Sequence, residues 1–145
     1  MEKRRVVITG MGVVSPVGNT VEEAWTSVKN GKSGIGKITL FDSSRVDVKI
    51  AAEVKDFNIE NYGIPNRATR KMARFSKFCL GATAQAVQDA GYTKETLQND
   101  KVGVLVGCCI GGMDATSEGF KKIDDPEAGP SRIPPLTTPL MISNE

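Results

Sequence analysis

The sequence predicts an α/β fold, in which helices pack against strands that carry continuous apolar runs. Two short runs rich in β-branched residues, at positions 5–9 and 102–106, have the length and composition of buried strands. Between them lies a stretch at residues 66–90 whose apolar side chains recur with the period of a helix. Long helices between apolar strands are typical of an α/β domain.

The composition is that of a globular protein with one core. Of its 145 residues, 39% are hydrophobic and 25% are charged. This length is too short for two domains of ordinary size. Histidine is absent from the sequence. Its absence excludes a Ser-His-Asp or Cys-His catalytic set completed within this chain, as well as any histidine-ligated metal.

Charge and cysteine content predict a cytoplasmic protein without a membrane span. The net charge of +2 is too small to indicate nucleic-acid binding by itself. No apolar run reaches the ~18 residues of a membrane-spanning helix, and the first residues do not form a signal peptide. The three cysteines are an odd number without CxxC spacing, so neither a disulfide framework nor a zinc site is indicated.

A glycine-rich loop and a short helix are predicted after the first strand. Two glycines and a proline make residues 10–18 a loop. Thr20 and Glu23 have the spacing of a capping box, so a helix is expected at residues 21–30, with Gly31 as its left-handed cap.

The middle of the chain is predicted to hold a second strand and the longest helix. We expect a turn at residues 33–36, a loop at 41–47 and a strand at 48–54. The helix is predicted at residues 66–90, with Gly91 as its cap. Its apolar face consists of Met72, Phe75, Cys79, Ala82, Ala86 and Ala90.

After the strand at 102–106, residues 107–112 form a glycine-rich strand exit. A short helix is expected at 113–122 and a polar loop at 124–131. Residues 133–145 become apolar where the chain stops, so we expect the chain to be part of a longer protein.

The first glycine loop invites a dinucleotide-binding interpretation, which the residues do not favour. The G-x-G-x-x-G pattern that begins at Gly10 and Gly12 has Ser15 in place of the third glycine. Pro16 and Gly18 also lie between Gly12 and the amino end of the following helix, and a bound pyrophosphate needs that helix end close to the glycines. The alternative is a tight loop that lets backbones pack closely.

Five cationic residues lie in one stretch of the sequence that contains no acidic residue. No Asp or Glu occurs between Asn61 and Gln88, and on one helix the cations fall within roughly 120° of its circumference. They are Arg67, Arg70, Lys71, Arg74 and Lys77. Two interpretations remain open: a solvated face balanced by acids on other elements, or a surface for an acidic partner.

The second glycine loop contains two adjacent cysteines. Cys108 and Cys109 have no histidine or nearby cation to activate a thiolate, so we expect small buried side chains rather than nucleophiles. Ile110, a branched side chain among glycines, is expected in the core or in the wall of an apolar pocket.

In combination, the motifs resemble those of the β-ketoacyl-ACP synthases, most closely the elongating type II (KAS II) condensing enzymes. The resemblance extends over essentially the whole chain. The motifs occur in the family's order at residues 4–19, 22–25, 31–35, 41–42, 54–57, 70–75 and 103–112.

The resemblance implies a thiolase-like αβαβα layered fold, of which residues 1–145 are the amino-terminal portion. It also implies decarboxylative Claisen condensation of an acyl-enzyme with malonyl-ACP, in type II fatty acid biosynthesis, by a homodimer that needs no cofactor. The catalytic cysteine, two histidines and a lysine of that family have no counterparts in this chain, which is therefore expected to be inactive alone.

The resemblance also assigns site residues. Arg67, Arg70 and Lys71, with Arg132, correspond to the family's basic contacts with acyl carrier protein. Ile110 corresponds to the gate of the acyl pocket. Leu136 and Thr137 correspond to the segment that reaches the partner subunit's pocket, with plain core or interface packing as the alternative.

Two other functions fit the same motifs. One is a polyketide ketosynthase or its non-catalytic partner subunit, which the first third of the family barely distinguishes. The other, of a different class, is a stand-alone, non-catalytic module that binds carrier protein. If the chain is such a stand-alone module, residues 1–145 should fold cooperatively by themselves.

Overall fold

The structure is a computed structural model that describes residues 4–98, 101–127 and 129–142. It contains five α-helices within these ranges, α1 to α5, which are Val21–Lys29, Arg74–Asp89, Lys94–Leu97, Met113–Asp124 and Thr137–Met141. Two strands, β1 (Ile35–Lys37) and β2 (Ile50–Ala52), form an antiparallel pair in which Gly36 faces Ala51. Three 3₁₀ helices are found at Ile59–Tyr62, Asn66–Thr69 and Pro130–Arg132. No helix among these residues is both long and apolar enough to cross a lipid bilayer.

Helix α1 begins as its sequence predicts. The Thr20 hydroxyl accepts a hydrogen bond from the Glu23 amide at 3.2 Å, and the Glu23 carboxylate accepts from the Asn19 amide at 2.8 Å. Gly31 follows the helix with a φ of 64°, in the left-handed region that glycine tolerates. Local capping chemistry therefore sets both ends of this helix.

The glycine loop packs directly on helix α2. A Cβ at Gly10 would lie 2.2 Å from the Ala86 carbonyl oxygen, and one at Gly12 would lie 1.9 Å from the Ala82 carbonyl oxygen. The alternative to a dinucleotide site, a loop that allows close backbone packing, is the one this geometry supports. The predicted alanine face of α2 is thus the face that the loop covers.

A polar cluster joins the loop, α2 and the first 3₁₀ helix around Asn19. The Asn19 carbonyl oxygen accepts from the Tyr62 hydroxyl at 2.9 Å and from the Gln85 amide at 3.1 Å. Gln85 also donates to the Val13 carbonyl oxygen at 2.7 Å, and the Asn19 side-chain amide donates to the Lys55 carbonyl oxygen at 2.8 Å. Burial raises the pKa of the Tyr62 phenol, with a smaller contribution from the charge of Glu23. The phenol therefore stays a neutral donor.

Three rings fix the segment after β2 against α2. Phe57 stacks on Tyr62 with ring centroids 5.6 Å apart and meets Phe78 edge-on at 4.8 Å. Ile59, 2% exposed, lies in the same segment. This aromatic group anchors the chain just before the cationic stretch.

The structure corrects several predicted elements. The strand predicted at 48–54 is reduced to Ile50–Ala52, and the turn predicted at 33–36 contains the start of β1. Residues 5–9 and 102–106 pair with no other described residue, so neither forms a ladder, and Leu105 is 98% exposed. A buried strand needs neighbours on both edges, and the described part of the chain does not supply them.

The long helix predicted at 66–90 is interrupted. Residues 66–69 form a 3₁₀ turn, residues 70–73 are not helical, and α2 begins only at Arg74. The backbone of Ala73 is extended, with a ψ of 162°. Ala73 is buried near Gly112, and this tertiary packing accompanies the break in the helical pattern. The carboxyl end agrees with the prediction, since Gly91 has a φ of 68°.

Candidate functional site

Three predicted site residues lie on one exposed turn. This cationic turn, defined by Arg67, Arg70 and Lys71, runs from the second 3₁₀ helix toward the start of α2. All three side chains are exposed, and none forms a hydrogen bond or ion pair with another described residue. Three positive charges are therefore left for solvent or a partner.

The backbone beneath these charges is fixed. Thr69, in the middle of the turn, has 0% exposure, and its hydroxyl donates to the Asn66 carbonyl oxygen at 3.2 Å. The Met72 amide donates to the Thr69 carbonyl oxygen at 3.0 Å. A rigid turn that carries long cationic side chains on its surface suits electrostatic recognition of an acidic molecule.

The other two cations of the predicted stripe have different surroundings. Arg74 begins α2, and its guanidinium donates to the Val54 carbonyl oxygen at 3.0 Å. Lys77, half-buried one turn later, lines a cleft. The prediction that all five cations share one helical face is wrong, because three of them precede α2. Of the five, Arg74 alone has a hydrogen bond from its side chain within the described chain, and the three on the cationic turn are exposed to a partner.

A cleft of about 610 Å³ adjoins the cationic turn. Its apolar lining includes Phe57, Met72 and Leu140, and Asp114 and Glu118 of α4 also line it. A hydrogen bond from Lys121 at 2.7 Å lowers the pKa of Glu118, so this carboxylate stays ionised at neutral pH. The cleft thus combines an apolar surface with charged groups of both signs.

The predicted acyl-pocket residues come from two segments that touch. The Gly112 amide donates to the Met141 carbonyl oxygen at 3.2 Å, which joins the second glycine loop to α5. Thr137, the first residue of α5, lines the cleft. Leu136 precedes it at the helix cap, and Ile110 is 65% exposed. The segments are adjacent, but within the described chain Ile110 does not lie in a core.

Arg132 lies on a separate element from the cationic turn. It ends the third 3₁₀ helix, Pro130–Arg132, which packs against α4, and its side chain is exposed. Its amide donates to the Gly129 carbonyl oxygen at 3.2 Å. The four predicted carrier-binding residues are thus divided between two elements.

All three cysteines are free, and their burial differs from the prediction. Cys79 is half-buried in α2, whereas Cys108 and Cys109 are exposed. The expectation that these two are buried is wrong for the described chain, in which the preceding residues 102–106 form no strand pairing and are exposed. The Cys108 sulfur accepts from the Gly111 amide at 3.1 Å. No group of three metal-ligating side chains occurs among the described residues.

Two features of this region were not predicted from the sequence. One is the engagement of Arg74, for which the i,i+4 spacing to Phe78 was an available signal. The other is the pair Asp114 and Glu118, one helical turn apart, which lines the same cleft as Arg74 and Lys77. The hydrogen bond from Arg74 to the Val54 carbonyl oxygen and the meeting of both helices at one cleft leave no signal in sequence spacing.

Comparisons with known proteins agree with this architecture. Residues 3–144 match the family described as β-ketoacyl synthase, N-terminal domain. A similar curated protein is the 3-oxoacyl-[acyl-carrier-protein] synthase 2 of Synechocystis, which is 38% identical over 144 residues. That alignment covers 99% of this chain and 34% of the relative, so the chain spans about a third of the length of the curated relatives it matches.

Two solved structures are similar as well. The ishigamide ketosynthase/chain length factor superposes with a TM-score of 0.86 and 29% identity, covering 97% of this chain and 34% of that one. A type II polyketide ketosynthase, solved in complex with its acyl-carrier protein, gives a TM-score of 0.72 and 25% identity over 97% of this chain and 35% of that one. They confirm the predicted thiolase-like fold class for this amino-terminal part. The chain belongs to the β-ketoacyl synthase family, whose members are acyltransferases, and it matches the family's amino-terminal domain.

Proposed function

We propose that the cationic turn docks an acidic acyl carrier protein for a condensing enzyme of type II fatty acid biosynthesis. The observation that carries the proposal is that Arg67, Arg70 and Lys71 are exposed and unpaired within the described chain. No acidic residue lies between Asn61 and Gln88, so their field is not cancelled along the chain. A related ketosynthase was solved in complex with its acyl-carrier protein, which supports a partner of this kind.

The reaction proposed for the complete enzyme is decarboxylative condensation. An acyl group held as a thioester on a cysteine is attacked by the carbanion that forms when malonyl-ACP loses CO₂. The new carbon–carbon bond gives 3-oxoacyl-ACP, and the cysteine leaves as the thiolate. This chain has no histidine to activate a thiol or stabilise the carbanion. We assign no catalytic role to its cysteines and propose that it is inactive alone.

The role proposed for residues 1–145 is therefore binding and shaping. The cationic turn and Arg132 bind the carrier, and Ile110, Leu136 and Thr137 contribute to the acyl pocket. The contact between the second glycine loop and α5 supports a shared pocket, because it brings the chain segments of these three residues together. We also propose that the complete enzyme is a cytoplasmic homodimer.

Reversal of charge on the turn tests the docking role. In the complete gene product, R70E combined with K71E should weaken binding of an acidic acyl carrier protein at least tenfold, measured by calorimetry, because two attractions become repulsions. The loss should shrink as salt is raised. The matched control reverses two exposed cations elsewhere, K37E with R45E, and should leave affinity within twofold. Equal affinities for both double variants would refute the docking role.

A polyketide ketosynthase is the second candidate function. The observation in its favour is that both solved structures described above come from ketosynthase systems, one of them named as type II polyketide. The two candidates differ in their product. A single condensation per carrier-bound chain, followed by reduction elsewhere, favours fatty acid synthesis, whereas repeated condensation without reduction favours the polyketide alternative.

A further inference from the structure

Arg74 occupies a position where a positive charge does not help its helix. It is the first residue of α2, next to the positive end of the helix dipole. The capping residue Ala73 offers no side-chain acceptor, and the first turn contains no acidic residue. A cation at this position is therefore explained by its contacts rather than by helix formation.

Those contacts join three parts of the chain. The Nη2 atom of Arg74 donates to the Val54 carbonyl oxygen at 3.0 Å, beyond the end of β2. The guanidinium carbon also lies 4.9 Å from the ring centroid of Phe78, which meets Phe57 edge-on. A planar guanidinium can stack on a ring and donate in its own plane at once, which an ammonium cannot do.

The contacts lie directly behind the cationic turn. Only Met72 and Ala73 separate Lys71 from Arg74, and Ala73 is held in an extended conformation. Anchoring Arg74 to Val54 and Phe78 fixes the carboxyl end of the turn, while the buried Thr69 fixes its middle. Both anchors lie within three residues of Arg70 or Lys71 along the chain.

We infer that Arg74 is a positioning residue, which orients Arg70 and Lys71 for the carrier without contacting the carrier itself. The inference rests on the proposed docking function. The cations of the turn attract the partner. Arg74 instead donates to the Val54 carbonyl oxygen and stacks on the ring of Phe78.

The test compares R74K and R74M in the complete gene product. Carrier affinity is measured at several salt concentrations, together with urea unfolding to confirm that each variant is folded. If Arg74 positions the turn, both variants should bind about three- to tenfold more weakly, and the slope of log affinity against log salt should stay that of wild type. R74K keeps the charge but loses the planar group, so it should not rescue binding.

Direct charge contact predicts the opposite result. Wild-type affinity in R74K, or a reduced salt slope in R74M, would overturn the inference. If the Arg74 variants do not fold, F78L decides, because it removes the stacking ring and keeps the arginine. A reduced affinity with an unchanged salt slope in F78L supports positioning, and wild-type affinity overturns it. Failure of R70E with K71E to weaken binding would instead refute the docking function itself.

Discussion

Replacement of Gly12 by alanine should destabilise the protein more than its single methyl group suggests. A Cβ at this position would lie 1.9 Å from the Ala82 carbonyl oxygen and 2.8 Å from the Gln85 Cβ. Real Cβ atoms essentially never approach closer than 3.0 Å, so the loop and α2 would have to separate by about 1 Å. Gly12 does not have a positive φ, so the expected effect comes from packing and not from backbone conformation.

The magnitude follows from what the methyl group would meet. The obstructing oxygen belongs to a helical backbone, which cannot yield without loss of its own hydrogen bonds. Overpacking of this kind costs roughly 1–3 kcal/mol, and we expect about 3 kcal/mol, the upper end, for Gly12. For a chain of this size, the melting temperature should fall by about 10 °C.

Urea unfolding of G12A beside G36A measures this effect. A Cβ added at Gly36, in β1, would meet no atom within 4 Å, and Gly36 has no positive φ, so alanine there should change stability by less than about 0.5 kcal/mol. Trp25 fluorescence reports on the region, since this side chain lies beside the glycine loop. Equal unfolding midpoints for G12A and G36A would refute the packing of the loop on α2.

Two further substitutions test the polar contacts. Tyr62→Phe removes the donor to the Asn19 carbonyl oxygen, 2.9 Å away, and should lower the free energy of unfolding by about 1 kcal/mol in urea titrations; no change would argue against this bond. Glu53→Gln should reduce the loss of stability at acid pH. Hydrogen bonds from Thr39, first from its hydroxyl, lower the pKa of the Glu53 carboxyl below 4.5. The stabilisation by the ionised carboxylate is therefore present above that pH and is lost as the pH falls through the lower folded pKa. Thermal melting between pH about 6 and about 3 measures this, and equally steep acid limbs in Glu53→Gln and wild type would contradict the assignment.

The sequence was sufficient for features that depend on neighbouring residues. Helix α1 could be predicted because the Thr20 and Glu23 pair is a local signal, and the structure confirms both of its hydrogen bonds. Gly31 and Gly91 could be assigned as helix caps for the same reason, and both have positive φ. Helix α4 begins at Met113 as predicted and extends two residues beyond the expected end.

The sequence was insufficient where distant contacts decide the local conformation. The hydrogen bond from Arg74 to the Val54 carbonyl oxygen and the position of Ala73 near Gly112 connect the start of α2 to distant parts of the chain, and neither leaves a periodic signal. Helical periodicity therefore predicted that the residues of the cationic turn belong to a helix, whereas α2 begins after them, at Arg74. Three of the five predicted cations therefore lie on an exposed turn beside a cleft, and the other two lie in α2.

The two apolar runs, residues 5–9 and 102–106, have the sequence pattern of buried strands, but the described chain contains no neighbouring strands that could bury them. Val6 and Leu105 are 88% and 98% exposed, and neither residues 5–9 nor 102–106 pair with other described residues. Unpaired, apolar extended segments favour the addition of further strands. Burial therefore depends on strands outside the described chain, whichever polypeptide supplies them. The same dependence explains why Cys108 is exposed although its sequence context predicts burial, since it lies just after the unpaired residues 102–106.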